Sequence, residues 1–186
     1  MTGRFVLLDR DGTINEEVGH LSDPSEVRLI PGSLDAMREL RELGLGIVII
    51  TNQADVGRGL LAAEQLERVH ARLRELLREG GVHVDGIEVC PHRPEDACEC
   101  RKPKPGMALR AAETHGFDLA DAFVVGDHAG DMGLGRAVGA TTILVRTGHG
   151  EEELADGAGR DADAVVTDLR GAADVIRERV LSGAAR

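Results

Sequence analysis

Six short apolar runs punctuate the chain, at Phe5–Leu8, Ile47–Ile50, Ile87–Val89, Phe123–Val125, Ile143–Val145 and, more weakly, Ala164–Val166. They do not alternate with polar residues. Such runs suit strands covered on both faces, the pattern of a parallel sheet. Stretches with helical spacing lie between them. Leu34, Met37, Leu40 and Leu43 form one apolar stripe; Leu66, Val69, Leu73, Leu76 and Leu77 form another, stopped by Gly80-Gly81. Met107–Thr114, Met132–Val138 and Ala172–Val180 complete the set. This alternation predicts a doubly wound, mostly parallel α/β sheet with right-handed crossovers. The 186 residues suffice for one such domain, expected over residues 1–181, with 182–186 as a frayed tail. No internal repeat or linker interrupts the pattern.

In folds of this kind ligands bind beyond the carboxyl ends of the strands. The residues there are Asp9 and Asp11 after the first run, Thr51-Asn52-Gln53 after the second, Cys90-Pro91-His92 after the third and Gly126-Asp127 after the fourth. Asp9 and Asp11, two apart on extended chain, point to one side about 6–7 Å from each other along the backbone. That gap admits a phosphoryl group and a metal. One carboxylate can attack phosphorus, and the second can protonate the leaving oxygen and then activate water. Gly12 frees the turn to approach a phosphate closely. An anionic nucleophile meeting an anionic ester needs neutralisation. Mg²⁺ suits this chemistry, with Asp127 as a further ligand and Asp131 as an outer group or a helix cap. Thr51 can donate to a phosphate oxygen, and Lys102 or Lys104 can supply a fixed cation.

Charge and composition narrow the partners. A net charge of −11 disfavours nucleic acid and acidic membranes. Three Phe, no Trp and no Tyr leave few platforms for base stacking. No apolar stretch is long enough to span a membrane. A small phosphorylated substrate remains, bound where local cations reverse the field. Three cysteines crowd between positions 90 and 100. Cys90, His92, Cys98 and Cys100 make a Cys₃His set, a tetrahedral zinc environment with no open position. A structural Zn²⁺ is therefore expected, stapling a loop that leads directly into Arg101-Lys102. Free buried thiols are the plainer alternative. A Cys98–Cys100 disulfide would close a strained ring. An odd, clustered thiol count also points to a reducing cytoplasm.

Taken in order, LeuAspArgAspGlyThr at 8–13, ThrAsnGln at 51–53, ArgLysPro at 101–103 and ValGlyAspHisAlaGlyAsp at 125–131 resemble the four motifs of the haloacid dehalogenase-like phosphatases. Arg58-Gly59, CysProHis at 90–92, CysGluCysArgLysProLysProGly at 98–106 and ValArgThrGly at 145–148 extend the resemblance to the heptose 1,7-bisphosphate phosphatases and the related histidinol-phosphatase domain. It covers residues 4–148. The resemblance implies Asp9 as nucleophile and Asp11 as general acid/base. It implies Mg²⁺ on Asp9, the Asp11 main-chain carbonyl and Asp127, and phosphoryl stabilisation by Thr51 and Lys102. Asn52, Gln53, Arg58 and Arg101 would hold substrate, with the Gly19-His20 loop over the opening and zinc on the four Cys/His positions. It also implies short loops in place of a large cap domain.

The expected activity is release of the 7-phosphate from a heptose 1,7-bisphosphate by a cytoplasmic monomer. Histidinol phosphate is the alternative substrate. A receiver-type phosphoacceptor domain and a zinc-stapled binding module are the competitors of other classes. Two positions depart from the family pattern: His128 stands where lysine is usual, and His20 where tyrosine is usual. Both bear on substrate selection, and His128 is the expected contact to a substrate phosphate. Arg10, His70 and His115 read as packing or surface residues, His83 as lying near a strand start, and His149 as a loop residue.

Overall fold

A computed structural model describes residues 3–183. The strands are β1 (Phe5–Leu8), β2 (Gly46–Asn52), β3 (Gly86–Cys90), β4 (Phe123–Gly126), β5 (Thr141–Val145) and β6 (Ala164–Val166). The helices are α1 (Ser33–Glu42), α2 (Ala54–Gly57), α3 (Ala63–Glu79), α4 (Gly106–His115), α5 (Ala129–Val138), α6 (Gly150–Ala155) and α7 (Leu169–Leu181). All six expected strands and all five expected helices are present. The short α2 and α6 carry too few apolar positions to show a period.

The strands form one sheet in the order β3-β2-β1-β4-β5-β6, and every pairing is parallel. The order reverses direction between β1 and β4, so a crevice opens at their carboxyl ends. Asp9, directly after β1, extends the pairing with its N–H donating to the Val125 carbonyl at 2.9 Å.

Residues alternate between two cores as the pleat requires. Val6, Leu8, Ile47, Ile49, Val125, Ile143 and Val145 face one layer with α1, α3 and α7. Leu7, Val48, Ile50 and Val124 face the other with Met107 and Ala111 of α4 and Leu134 of α5. Removing one such leucine side chain costs about 2–5 kcal/mol. Ile87 and Val89 were expected to be fully buried but are only half-buried, because β3 is an edge strand. The same holds for β6 at the other edge, where Val165 is exposed.

Glycine is required where the crevice is tightest. A Cβ at Gly126 would stand 2.2 Å from the Asp131 carboxyl carbon. At Gly12 or Gly148, both at positive φ, it would stand 2.1 Å from Asp127 Oδ2. Of the expected frayed tail, residues 184–186 lie outside the described residues, while Ser182 donates its N–H to the Glu178 carbonyl at 3.0 Å and ends α7.

Candidate active site

The strand ends converge on a cleft of about 210 Å³ lined by Asp9, Asp11, Glu17, Thr51, Asn52, Arg101, Lys102, Asp127, His128, Asp131 and His149 among others. A larger groove, of about 770 Å³, runs along α3 between Arg68, Arg72, Arg74 and Arg78 and holds none of these groups.

Asp9 is 9% exposed. Its Oδ1 accepts the Arg10 N–H at 2.7 Å and lies 2.8 Å from Lys102 Nζ. Those contacts fix the rotamer and leave Oδ2 without a hydrogen bond among the described residues. Lys102 is buried and spends its three N–H groups on Asp9, on Asp131 Oδ1 at 2.7 Å and on the Ile50 carbonyl at 3.1 Å. Burial alone would lower the Lys102 pKa, but Asp131 and Asp9 outweigh it and hold the ammonium charged. Lys104, the other candidate cation, is half-buried outside the cleft, beside Glu99 and the Ala97 carbonyl. Asn52 braces Lys102 from both sides: its Oδ1 accepts the Lys102 N–H at 3.1 Å and its Nδ2 donates to the Lys102 carbonyl at 3.3 Å.

Asp127 is 2% exposed. Its Oδ2 accepts the His149 N–H at 2.8 Å and is flanked by the Cα atoms of Gly12 and Gly148. The Thr147 hydroxyl ties these loops together by donating to the Gly12 carbonyl at 2.6 Å. Asp131 takes the capping role and adds a contact the sequence did not offer, to Lys102. One oxygen accepts from Lys102, and the other accepts the His128 N–H at 3.2 Å and caps α5.

Carboxylate oxygens of Asp9, Asp127 and Asp131 lie within 4.8 Å of one another. Burial pushes the Asp9 carboxyl up to about 7, with Asp131 and Asp11 adding to the rise and Lys102 opposing it. Burial, then Asp9 and Asp131, pushes Asp127 up to about 8. Three buried carboxylates against one ammonium leave surplus negative charge, and a hard dication balances it. Among the described residues Asp9 Oδ2 and Asp127 Oδ1 carry no hydrogen bond and can take one, so the residues present fit Mg²⁺.

Asp11 is held differently. Arg10 Nε and Nη2 donate to its two oxygens at 2.9 and 2.5 Å, Asn15 Nδ2 donates to Oδ1 at 2.9 Å and Gln53 Nε2 to Oδ2 at 2.9 Å. Burial pushes the Asp11 carboxyl up, but Arg10, Asn15 and Gln53 outweigh it and hold it below the usual carboxylate range. Gln53 also donates to Thr51 Oγ1 at 2.8 Å. Gln53 therefore joins two expected catalytic residues from behind. Arg10 is 1% exposed.

The remaining expected contacts lie further out. Arg101 lines the cleft and donates to the His92 carbonyl at 3.4 Å. His128 caps α5 through Nδ1, which accepts the Gly130 N–H at 3.1 Å, while Nε2 lies 2.9 Å from Glu153. Gly19 takes positive φ in the loop before His20. His20 pairs with Asp55 at 2.5 Å, and Arg58 reaches the other Asp55 oxygen at 3.3 Å. His20 and Asp55 line a neighbouring hollow with Leu60 and Leu61, beside the catalytic cleft rather than in it. Arg10 and Asn15 were not expected around Asp11. The sequence signal for them is slight: Asn15 lies one helical turn after Asp11, and nothing local reports that Arg10 turns inward.

The donor atoms of Cys90, His92, Cys98 and Cys100 also lie within 4.8 Å of one another. Separations are 3.2 Å for Cys90–Cys100, 3.6 Å for both Cys90–Cys98 and Cys98–Cys100, and 3.2 Å for His92 Nδ1 to Cys100. All three cysteines are free thiols. A tetrahedron with Zn–S bonds of about 2.3 Å has edges near these lengths. Burial pushes the Cys90 thiol up to about 12, with hydrogen bonding to Cys100 adding to it. Burial also pushes Cys98 up, but backbone N–H donors of Arg101 and Cys100 outweigh it and draw that thiol down to about 7. N–H groups aimed at sulfur suit a thiolate, so the donor set fits zinc.

The family model for HAD-hydrolase-like proteins matches residues 99–172. The D-glycero-beta-D-manno-heptose-1,7-bisphosphate 7-phosphatase of Pseudomonas putida is 43% identical over 155 residues, 83% of this chain and 89% of that protein. The chain belongs to this family of HAD-like phosphatases. A D,D-heptose 1,7-bisphosphate phosphatase from Bordetella bronchiseptica, solved in complex with magnesium and phosphate, superposes with a TM-score of 0.88 at 35% identity, covering 95% of this chain and 99% of that one. The Burkholderia thailandensis phosphatase of the same description gives 0.72 at 33% identity over 94% and 98%. As a heptose bisphosphate phosphatase relative, the chain has the expected six-stranded fold and carries the Cys/His cluster within it.

Proposed function

We propose that this chain is a Mg²⁺-dependent phosphatase that removes the 7-phosphate of D-glycero-β-D-manno-heptose 1,7-bisphosphate. The observation that carries it is the free Oδ2 of Asp9, aimed into the cleft by the Arg10 N–H and the Lys102 ammonium on Oδ1. The β anomer follows the relatives' substrate. Magnesium, held by Asp9, Asp127 and the Asp11 carbonyl, would polarise the phosphoryl oxygens.

In the proposed reaction Asp9 attacks phosphorus. A P–O bond forms to the carboxylate as the P–O bond to carbon 7 breaks, and the departing alkoxide takes a proton from Asp11. Water then attacks phosphorus in phospho-Asp9: a P–O bond forms to the water oxygen as the P–O bond to Asp9 breaks, Asp11 takes a proton from the water, and inorganic phosphate leaves. Asp11 rests ionised, so it gains its proton as the anionic substrate settles beside it and raises its proton affinity. Lys102 and Thr51 steady the transferring group. Asn52, on the cleft wall, holds Lys102, and Gln53 holds Asp11 and Thr51 from behind. Arg101, His128 and Arg58, with the Gly19-His20 loop, are assigned to the substrate side. Zinc on Cys90, His92, Cys98 and Cys100 is assigned to structure alone.

Residues 1–181 are taken as one phosphatase unit. No helix of the described residues is long and apolar enough to cross a membrane. With three free thiols, a cytoplasmic location is the working assignment, and a monomer is the working oligomeric state. The deciding measurement is phosphate release from both heptose bisphosphate anomers, histidinol phosphate and simple sugar phosphates. Fastest turnover of the β anomer, abolished by Asp9→Asn with the fold intact, is expected. Faster turnover of histidinol phosphate would replace the substrate assignment.

A further inference from the structure

Behind Asp11, away from the cleft, lies a buried pair that the proposed reaction does not use. His70, on α3, is 0% exposed and Arg10 is 1% exposed. His70 Nε2 is 3.0 Å from Arg10 Nη1. A guanidinium only donates, so Nε2 accepts and the ring proton sits on Nδ1. Among the described residues Nδ1 has no hydrogen-bond partner, and the nearest carboxylate, Glu67, is 3.8 Å away. The ring is therefore kept for one contact. The rest of the Arg10 fork closes on both oxygens of Asp11.

We propose that His70 is a positioning residue that, by pinning Arg10, fixes the Asp11 carboxylate for proton transfer to the departing alcohol. It rests on the assignment of Asp11 as the acid–base group. Neither Arg10 nor His70 lines the cleft, so neither meets the substrate. Asn15 and Gln53 each place one donor on Asp11, while the Arg10 fork spans both of its oxygens and so sets the plane of the carboxylate. The third contact of Arg10, to a ring locked in the α3 interface, gives the guanidinium a fixed anchor from another element. A carboxylate that must meet a leaving oxygen within hydrogen-bond reach is sensitive to such an anchor. The step itself is unchanged: the electron pair of the breaking P–O bond goes to oxygen, the proton comes from Asp11, and Arg10 and His70 stay as they are.

The test compares kcat/KM for the heptose bisphosphate, whose alkoxide needs a proton to leave, with that for 4-nitrophenyl phosphate, whose phenolate does not. This ratio covers steps only through alcohol departure, so the hydrolysis of phospho-Asp9 does not enter. Asp11→Asn is the reference and should lose about 10²–10⁴-fold on the sugar and far less on the aryl ester. His70→Leu should lose about 10- to 100-fold on the sugar with little change on the aryl ester. His70→Gln should recover most of the loss, because its amide oxygen can accept from Arg10. Arg10→Lys, which keeps the charge but cannot span the three contacts, should discriminate as His70→Leu does and decides the matter if His70→Leu does not fold. Equal losses on both substrates in the His70→Leu or Arg10→Lys variant, or His70→Gln as impaired as His70→Leu, would overturn the inference. If Asp11→Asn itself fails to discriminate, the acid assignment falls and takes the inference with it.

Discussion

Lys102 Nζ stands 2.8 Å from Asp9 Oδ1, inside a site where Asp131 holds the same ammonium at 2.7 Å. One cation thus orients the proposed nucleophile and keeps two carboxylates from repelling each other. Lys102→Met should lower kcat by about 10²–10³, the usual cost of one preorganised donor to a transition state. It should also destabilise the metal-free fold by about 3–5 kcal/mol, since it leaves buried charge unpaired. Steady-state kinetics and chemical denaturation read the two effects. An unchanged kcat would remove Lys102 from the reaction.

Metal binding should be linked to protons in a stated direction. In the free site Asp9 titrates near 7 and Asp127 near 8, each raised first by burial. Protons then compete with a dication for the same oxygens, so apparent Mg²⁺ affinity should fall as pH drops from about 8 to 6. Adding MgCl₂ to weakly buffered enzyme at pH 7.5 should release protons, and calorimetry in buffers of different ionisation enthalpy counts them. No release would place the ion elsewhere.

The cysteine cluster gives a prediction through its neighbour in sequence. Cys100 is followed by Arg101 and then Lys102, whose backbone Asn52 grips at both ends. Purified enzyme should carry one zinc per chain by elemental analysis. Cys98→Ser should lose zinc and lower kcat more than about tenfold, because the catalytic lysine loses its placement. Asp9→Asn should keep zinc in full. Full turnover in a zinc-free protein would confine the cluster to another role.

His70 should shape the stability of the fold in acid. Burial, then the nearby Arg10 and Arg74 charges, pulls its pKa down to about 3, with Asp11 opposing. The unfolded chain, with an ordinary histidine near 6.5, binds the extra proton between those values. Its contribution is therefore complete above about pH 6.5 and is lost progressively as pH falls toward 3. Wild type should lose thermal midpoint faster than His70→Gln between pH 6.5 and 4. Measuring the two in parallel cancels the carboxylates they share. Parallel curves would contradict the assignment.

How far the sequence led depends on the range of the contact. Apolar runs announced the strands, and the residues at the carboxyl ends of β1, β2 and β4 announced the cleft, because chain direction alone places them. The four zinc-type donors lie within eleven residues, so spacing sufficed. The supporting contacts were not legible. His70 meets Arg10 across sixty residues, and Asn52 meets Lys102 across fifty. Such pairings depend on how α3 and the zinc loop dock, and local periodicity carries no record of that. His128 was expected to face substrate. In the structure it lines the cleft, caps α5 and pairs with Glu153, a partner 25 residues on that no motif contains. Asp131 could be read as an outer ligand group or as a cap, and the fold uses one oxygen for Lys102 and the other for α5.

The two glycines that flank Asp127 restrict how this chain can vary. Gly12 and Gly148 come from separate loops, and each would drive a Cβ to 2.1 Å from the same carboxylate oxygen. Every single-base change of a glycine codon that alters the residue installs a side chain, so neither position has a mild neighbour in sequence space. A population carrying this gene would purge variants at both codons while tolerating many at Leu60 or Leu109, which face solvent. In a saturation library scored by growth on a heptose-dependent phenotype, codons 12 and 148 would stand out as silent-only positions although neither residue has a side chain to contribute to the chemistry.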